Sequence, residues 1–192
     1  MTALTDSLAE GAVQTVLEAG ELLTDPAAVQ SIRSKGETDY VTNVDLAVQK
    51  FLRKRLAALA PDVQFMGEEQ DNTGLDWSRP CWILDPVDGT TNLLHSFRHS
   101  AISLALAEGG QAVFGVVYNP YTEECFTARR GGGALRNGVS IQVSAVSRLA
   151  DSLLSTGTVP GRRDLADAAF RQMRALYDRC QDVRRTGCAS LD

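Results

Sequence analysis

The sequence predicts a layered α+β protein, and three observations predict it. Two helical periodicities open the chain, short strands separated by glycine turns fill its middle, and helical spacing returns near its end. The 192 residues suffice for one substantial core or two small ones. Hydrophobic residues at 44% and charged residues at 22% are ordinary for a globular chain.

The first helix is read from Leu4, Leu8, Ala12, Val16, Ala19 and Leu23, which recur at helical spacing. Thr42 to Leu59 reads as a second helix, with Val44, Val48, Phe51, Leu52, Leu56 and Leu59 on one face. DVQFMGEE reads as a short strand ending at Gly67, and PCWILDP as a buried strand stopped by Pro86. AISLALAEGGQAVFGVVYNP predicts two strands joined at Gly109–Gly110. ECFTA, GALR and VSIQV continue a meander, and Asn137–Gly138 is a strong hairpin signal. SLLST is strand-like. RDLADAAFRQMRALYD is helical, with Leu165, Ala169, Met173 and Leu176 on one face, and QDVRRTG suits a further strand. The mixture implies stacked helices and sheets, not a regular βαβ alternation.

Charge and cysteine usage narrow the function. A net charge of -5 and a pI of about 5.1 argue against a nucleic-acid surface. Cys81, Cys125, Cys180 and Cys188 form no C-x-x-C pair, which favours reduced thiols and a cytoplasmic setting. The N-terminal stretch carries Asp6 and Glu10 and has no basic region or long apolar run, so it reads as neither signal peptide nor membrane span.

The chemistry is concentrated in WILDPVDGTTN, Trp82 to Asn92. Asp85 and Asp88 flank Pro86, which fixes its own φ and forces the chain to turn. Such a turn aims both carboxylates and the unpaired carbonyl of Val87 to one side, an oxygen set that suits Mg²⁺. Gly89 permits close backbone approach, and Thr90 and Thr91 can open a short helix whose amides suit a phosphate. A purely structural alternative is an Asx turn with an N-cap threonine. Upstream, Glu68 and Glu69 follow a predicted strand, and Glu69 reads as a solvated loop acid. Asp45 lies three residues after Thr42 and matches a capping box; it is either a cap alone or a cap that also aims a carboxylate.

Magnitude favours a cation at such a cluster. Two carboxylates about 4 Å apart repel by ~1 kcal/mol in bulk water and several-fold more near a protein surface. Bound divalent ions reverse that sign and allow a phosphate to approach. Other phosphate chemistries fit less well. No cysteine is followed by arginine at the spacing of a cysteine phosphatase, no G-x-x-x-x-G-K-[ST] occurs, and D-P-V-D-G-T is one residue longer than an aspartyl-nucleophile D-x-D-G-T.

KGETDYVTNVD, GEE, WILDPVDGTTNLLH, FGVVYNP and, more weakly, RRTGCASLD occur in the order in which they occur in the inositol monophosphatase family, which this chain resembles over nearly its whole length. The family is related to fructose-1,6-bisphosphatase and is lithium-sensitive. The resemblance implies an αβαβα sandwich, C-terminally incomplete, with residues 1–192 as a single phosphatase domain, usually in a homodimer. It implies that Glu68, Asp85, Asp88 and the main-chain oxygen of Val87 hold metal, two or three Mg²⁺ ions per site. Asp45 and Thr90 resemble the pair that orients the attacking water, with Glu68 also counted as catalytic. Asp88, Gly89, Thr90 and Ala189 resemble the substrate contacts. His95 matches a family position for which a structural role is expected.

Val44 stands where the family commonly has threonine, and Arg98 where proline is frequent. The family's WD-x-A-G element, whose aspartate holds a metal, does not occur up to Asp192, nor does its sugar-reading glutamate. A chain ending there is expected to be poorly active and prone to associate. The reading is a Mg²⁺-dependent phosphomonoesterase acting on inositol monophosphate, with no nucleic-acid or membrane partner. Histidinol-phosphate, fructose-1,6-bisphosphate and nucleoside bisphosphate are rival substrates. GTTN argues against the nucleotide type, which more often has lysine after the first threonine. A non-catalytic metal- and phosphate-binding regulator is the alternative from another class.

Overall fold

The computed structural model describes residues 4–25, 32–34, 40–158 and 160–192. The whole KGETD stretch of the first motif, residues 35–39, lies outside them. Helix α1 (Asp6–Thr24) starts at Thr5, whose hydroxyl accepts from the Leu8 amide at 3.1 Å. The strands β1 (Ile32–Ser34) and β2 (Tyr40–Thr42) form an antiparallel pair, and β2 leads directly into α2 (Asn43–Leu59) with Thr42 as its N-cap.

A seven-stranded sheet follows in sequence order: β3 (Gln64–Gly67), β4 (Cys81–Asp88), β5 (Ala101–Glu108), β6 (Gln111–Asn119), β7 (Glu124–Arg129), β8 (Gly133–Arg136) and β9 (Val139–Ile141). Only β3 and β4 are parallel; the rest is the expected meander. The Asn137–Gly138 turn has positive φ at both residues, as a two-residue hairpin with right-handed twist requires. Helix α3 (Thr90–Leu94) links β4 to β5. The chain closes with β10 (Leu153–Ser155), α4 (Ala166–Tyr177) and β11 (Asp182–Arg184), in which β10 and β11 pair in parallel.

Helices α1 and α2 lie together on one face of the large sheet, over β4, β5 and β6. The periodic residues predicted for them meet the sheet there: Ala12, Val16, Ala19 and Leu23 from α1 and Val44, Val48, Leu52 and Leu56 from α2 pack on Trp82, Leu84, Ile102, Leu104, Leu106, Phe114 and Val116. Each large aliphatic side chain buried there contributes about 1.5–3 kcal/mol. Leu59, expected on the same face, is left exposed at the end of α2.

Two expectations fail. Pro86 does not stop its strand. β4 runs through it to Asp88, because Pro86 sits at a register irregularity where no ladder hydrogen bond is demanded of it. The periodic face of α4 also finds no core. None of its residues is buried, and Phe170 and Tyr177 are exposed, since the helix rests mainly on β11 and the turn before it.

Gly20 explains how closely α1 seats on the sheet. An added Cβ would lie 2.4 Å from Cε1 of Tyr118 on β6. Mid-helix glycine costs ~1 kcal/mol of helix propensity relative to alanine. Gly20→Ala is therefore expected to destabilise the protein by about 1–3 kcal/mol despite its better propensity, through overpacking. Tyr118→Leu in the same chain should recover part of the loss in chemical denaturation; additive losses would refute the packing explanation.

Candidate active site

The site begins with one extra residue in β4. Asp85 stands opposite Ser103 on β5, and Asp88 opposite Ala101, so Pro86 and Val87 together face Ile102. In a regular strand, residues three apart point to opposite faces. The bulge cancels that inversion and brings Asp85 and Asp88 to one side. The same shift carries the Val87 side chain into the core with Trp82 and Leu84.

Glu68 is delivered by register. Gly67 pairs with Leu84, and the next amide, that of Glu68, donates to the Leu84 carbonyl at 3.3 Å. This sets Glu68 beside Asp85. Burial pushes the Asp85 carboxyl up to about 8, with the charges of Glu68 and Asp88 and a hydrogen bond to the Glu68 side chain acting in the same direction. The Val87 amide, donating to Asp85 Oδ1 at 3.1 Å, opposes the shift. Without a cation, Asp85 thus holds its proton to a higher pH than an ordinary carboxyl.

Among the described residues, no three His, Cys, Asp or Glu side chains are drawn together tightly enough to make a finished metal cage. Carboxylates without a cation repel one another, and Asp85 relieves the repulsion by protonation. The donor set fits a hard divalent cation: two aspartates and a glutamate in electrostatic contact, next to the Val87 carbonyl at the bulge, which accepts from the Thr90 hydroxyl.

Asp45 serves two purposes at once. Its Oδ2 accepts from the Thr42 amide at 2.8 Å and from the Thr42 hydroxyl, which itself receives the Val44 and Asp45 amides. That is the predicted capping box. Its Oδ1 faces the Thr90 hydroxyl at 3.4 Å. Burial raises the Asp45 pKa, with Glu68 adding to the effect and the Thr42 hydrogen bonds opposing it. Thr90 Oγ1 also lies 2.9 Å from the Val87 carbonyl. A hydroxyl has one proton, so the shorter contact takes it here, and Asp45 is the alternative acceptor.

Gly89 joins β4 to α3 with φ of 85°, a left-handed conformation that an L residue resists. A Cβ there would also meet the His99 carbonyl at 3.0 Å and Cys188 Cβ at 3.3 Å. Asp88, Gly89 and Thr90 open onto a cavity of about 820 Å³ whose other side includes Gly187, Cys188 and Ala189. That side is latched to the carboxylates: the Ser190 amide donates to Asp88 Oδ2 at 2.5 Å, and Asn92 Nδ2 donates to the carbonyls of His99 at 2.7 Å and Thr186 at 2.9 Å. Burial, then the charge of Asp88, pushes the Cys188 thiol up to about 12, so it stays protonated.

Every predicted site residue therefore lies in this one region: Asp45, Glu68, Asp85, Val87, Asp88, Gly89, Thr90 and Ala189. Sequence reasoning missed Asn92 and Ser190, which hold the region together. A clue existed for Asn92, since asparagine is a weak helix former inside a five-residue helix and suggests a side-chain task. Glu69, read as a solvated loop acid, is partly exposed, and its amide donates to Gln49 Oε1 at 2.9 Å. His95 leaves its side chain exposed at the cavity edge, where a structural role was expected.

The raised Asp85 pKa dictates a pH response of the metal-free protein. A group with folded pKa of about 8 and unfolded value of 3.8 contributes stability that is complete below about 4 and lost as pH rises through 8. Asp45 acts in the same direction. The lowered values of Asp71, Asp76, Asp164 and Asp182 act only in the acid range. The unfolding midpoint of metal-free protein is thus expected to fall between pH 5 and 8.5, and Mg²⁺ should raise it more at the upper end. A flat profile that Mg²⁺ leaves unchanged would rule out the carboxylate cluster as a cation site.

A profile of the inositol monophosphatase family matches residues 4–192. An inositol-1-monophosphatase of Rhizobium meliloti is 40% identical over 184 residues, covering 94% of this chain and 69% of the relative. A Nus factor SuhB of Xylella fastidiosa is 38% identical over 158 residues, covering 82% and 57%. The chain thus spans little more than half the length of one of these relatives and about two thirds of the other. The crystal structure of the extragenic suppressor protein suhB from Bartonella henselae superposes with a TM-score of 0.90 at 34% identity, over 97% of this chain and 72% of that one. The meander, the bulged β4 and the match over residues 4–192 lead to one conclusion: this chain belongs to the inositol monophosphatase family.

Proposed function

We propose that this chain hydrolyses a small phosphate monoester, inositol monophosphate foremost, in a Mg²⁺-dependent reaction. The carrying observation is the pairing of Asp45 with Thr90 beside the mutually repelling Asp85, Glu68 and Asp88, at the mouth of the large cavity. Glu68, Asp85, Asp88 and the Val87 carbonyl would hold two or three Mg²⁺ ions. When bound, such ions supply charge neutralisation and Lewis acidity.

The remaining work falls to the chain's own groups. The Thr90 hydroxyl, within reach of both the Val87 carbonyl and Asp45 Oδ1, would donate to Asp45 if the Val87 carbonyl were engaged elsewhere. The Thr90 oxygen then presents a lone pair to a water molecule and orients it towards phosphorus. Asp45 cannot swing away, because its other oxygen is held by the helix cap. Gly89, Thr90 and Ala189 line the cavity; the amides of Gly89 and Thr90 would serve the phosphate, and Ala189 would border the leaving alcohol. Residues 1–192 belong to one phosphatase domain, in a homodimer in a reducing cytoplasm that keeps the four free thiols reduced. No described helix is long and apolar enough to cross a membrane.

A non-catalytic reading has its own support, since a 38% identical relative carries the name of a Nus factor. Phosphate release from inositol 1-phosphate, histidinol phosphate, fructose 1,6-bisphosphate and adenosine 3′,5′-bisphosphate, with and without Mg²⁺, separates the two. Release from none of them by folded protein would favour the regulator.

Thr90→Val keeps the side-chain shape and removes the hydroxyl; kcat is expected to fall ~100-fold or more with little change in KM. Asp88→Asn retains an acceptor for the Ser190 amide and deletes one charge from the cation set. It should abolish Mg²⁺-dependent turnover and shrink the Mg²⁺-induced rise in melting temperature while preserving the circular dichroism spectrum. Li⁺, which carries half the charge to a carboxylate site, is expected to inhibit at fixed Mg²⁺. Wild-type rates in either variant would overturn the role given to that residue.

A further inference from the structure

The cavity beside Asp88 has a wall that the carboxylates do not explain. Arg162, Arg163 and Arg185 line it from the segments that follow β10 and β11. Arg162 is already satisfied, forking onto Asp164 at 2.9 and 2.6 Å. Arg185 is not neutralised: its Nη2 donates to the uncharged Thr158 hydroxyl at 2.8 Å. Its guanidinium lies directly over Gly187, where an added Cβ would fall 2.6 Å from Nη1. Arg163 forms no ion pair among the described residues. Besides Asp88, the only carboxylate lining the cavity among the described residues is Asp192, which accepts from the Thr186 hydroxyl.

A chain of net charge -5 has thus gathered uncompensated guanidinium groups in the same cavity as its acidic cluster. Cations at the carboxylates and one phosphate upon them account for the acidic wall, yet they leave Arg163 and Arg185 without an anionic partner among the described residues. Guanidinium groups match phosphate and carboxylate geometry through paired N–H donors.

We propose that Arg163 and Arg185 form a second anion subsite, so that besides inositol monophosphate the site takes small phosphate monoesters bearing a further phosphate or carboxylate remote from the scissile group, and holds them through both anions. This rests on the phosphatase reading of the acidic wall. Arg163 and Arg185 are then specificity-determining residues that reward the second charge, while the acidic wall handles the first.

Non-hydrolysable probes test the subsite without turnover. Mg²⁺-loaded protein is titrated calorimetrically with propylphosphonate, which has one anionic group, and with alkane diphosphonates from propane to hexane, which have two. The best-fitting diphosphonate is expected to bind at least ~10-fold more tightly, a difference of about 1.4 kcal/mol. The double variant Arg163→Gln/Arg185→Gln should remove most of that preference, and Arg185→Lys alone should keep part of it. Both side chains are exposed, so circular dichroism should match wild type; each single glutamine variant provides the same reading if the double variant misfolds. Equal affinity for one and two anionic groups, a preference that survives both substitutions, or no binding of any probe would overturn the proposal. Failure of the phosphatase reading shows separately, as absence of phosphate release from every ester.

Discussion

Strand β4 is one residue longer than the segment of β5 it pairs with, and the site depends on that mismatch. Without the residue inserted between Asp85 and Asp88, the two carboxylates would point to opposite faces, one towards Leu104 and the core. A charge there would meet the full desolvation cost of an apolar layer. With the insertion, both lie on the side away from α1 and α2, and the Val87 side chain fills the core position instead. Proline suits the position because a bulge asks for no donor. The motif D-P-V-D thus encodes a change of strand parity.

Gathering the carboxylates creates a second constraint, since the fold must tolerate their repulsion when no cation is present. Asp85 does so by binding a proton, and Asp45 by sharing its charge with the cap of α2. The division of Asp45 into one oxygen for the helix and one for the site fixes its direction without a dedicated support. Thr90 responds to the same geometry, because its single proton can serve either Val87 or Asp45 but not both.

Much of this was legible in the sequence, for physical reasons that differ by element. The α1 and α2 faces were readable because helical spacing and burial coincide there. The Gly109–Gly110 and Asn137–Gly138 turns were readable because few residues accept positive φ. The direction of Asp85 and Asp88 was read from a forced turn at Pro86, whereas the chain stays extended and a bulge does the turning; register belongs to the pair of strands and cannot be seen in one. The α4 pattern misled because periodicity reports an apolar stripe and not what covers it. Asn92 and Ser190 act on partners about a hundred positions away, at Thr186 and Asp88, a distance that no local pattern spans.

Those two long contacts decide what kind of site this is. The carboxylates come from α2, β4 and the end of β3, within the rigid layer of the large sheet. The facing wall belongs to the small β10–β11 unit and is joined to them by Asn92 and by the Ser190 amide on Asp88. On the proposed reading, a cation held by Asp88 would compete with that amide for the same carboxylate. Loading the carboxylates and seating the arginine-bearing wall would then be coupled through one side chain. The two walls of opposite charge meet at Asp88 and are joined there by a single hydrogen bond.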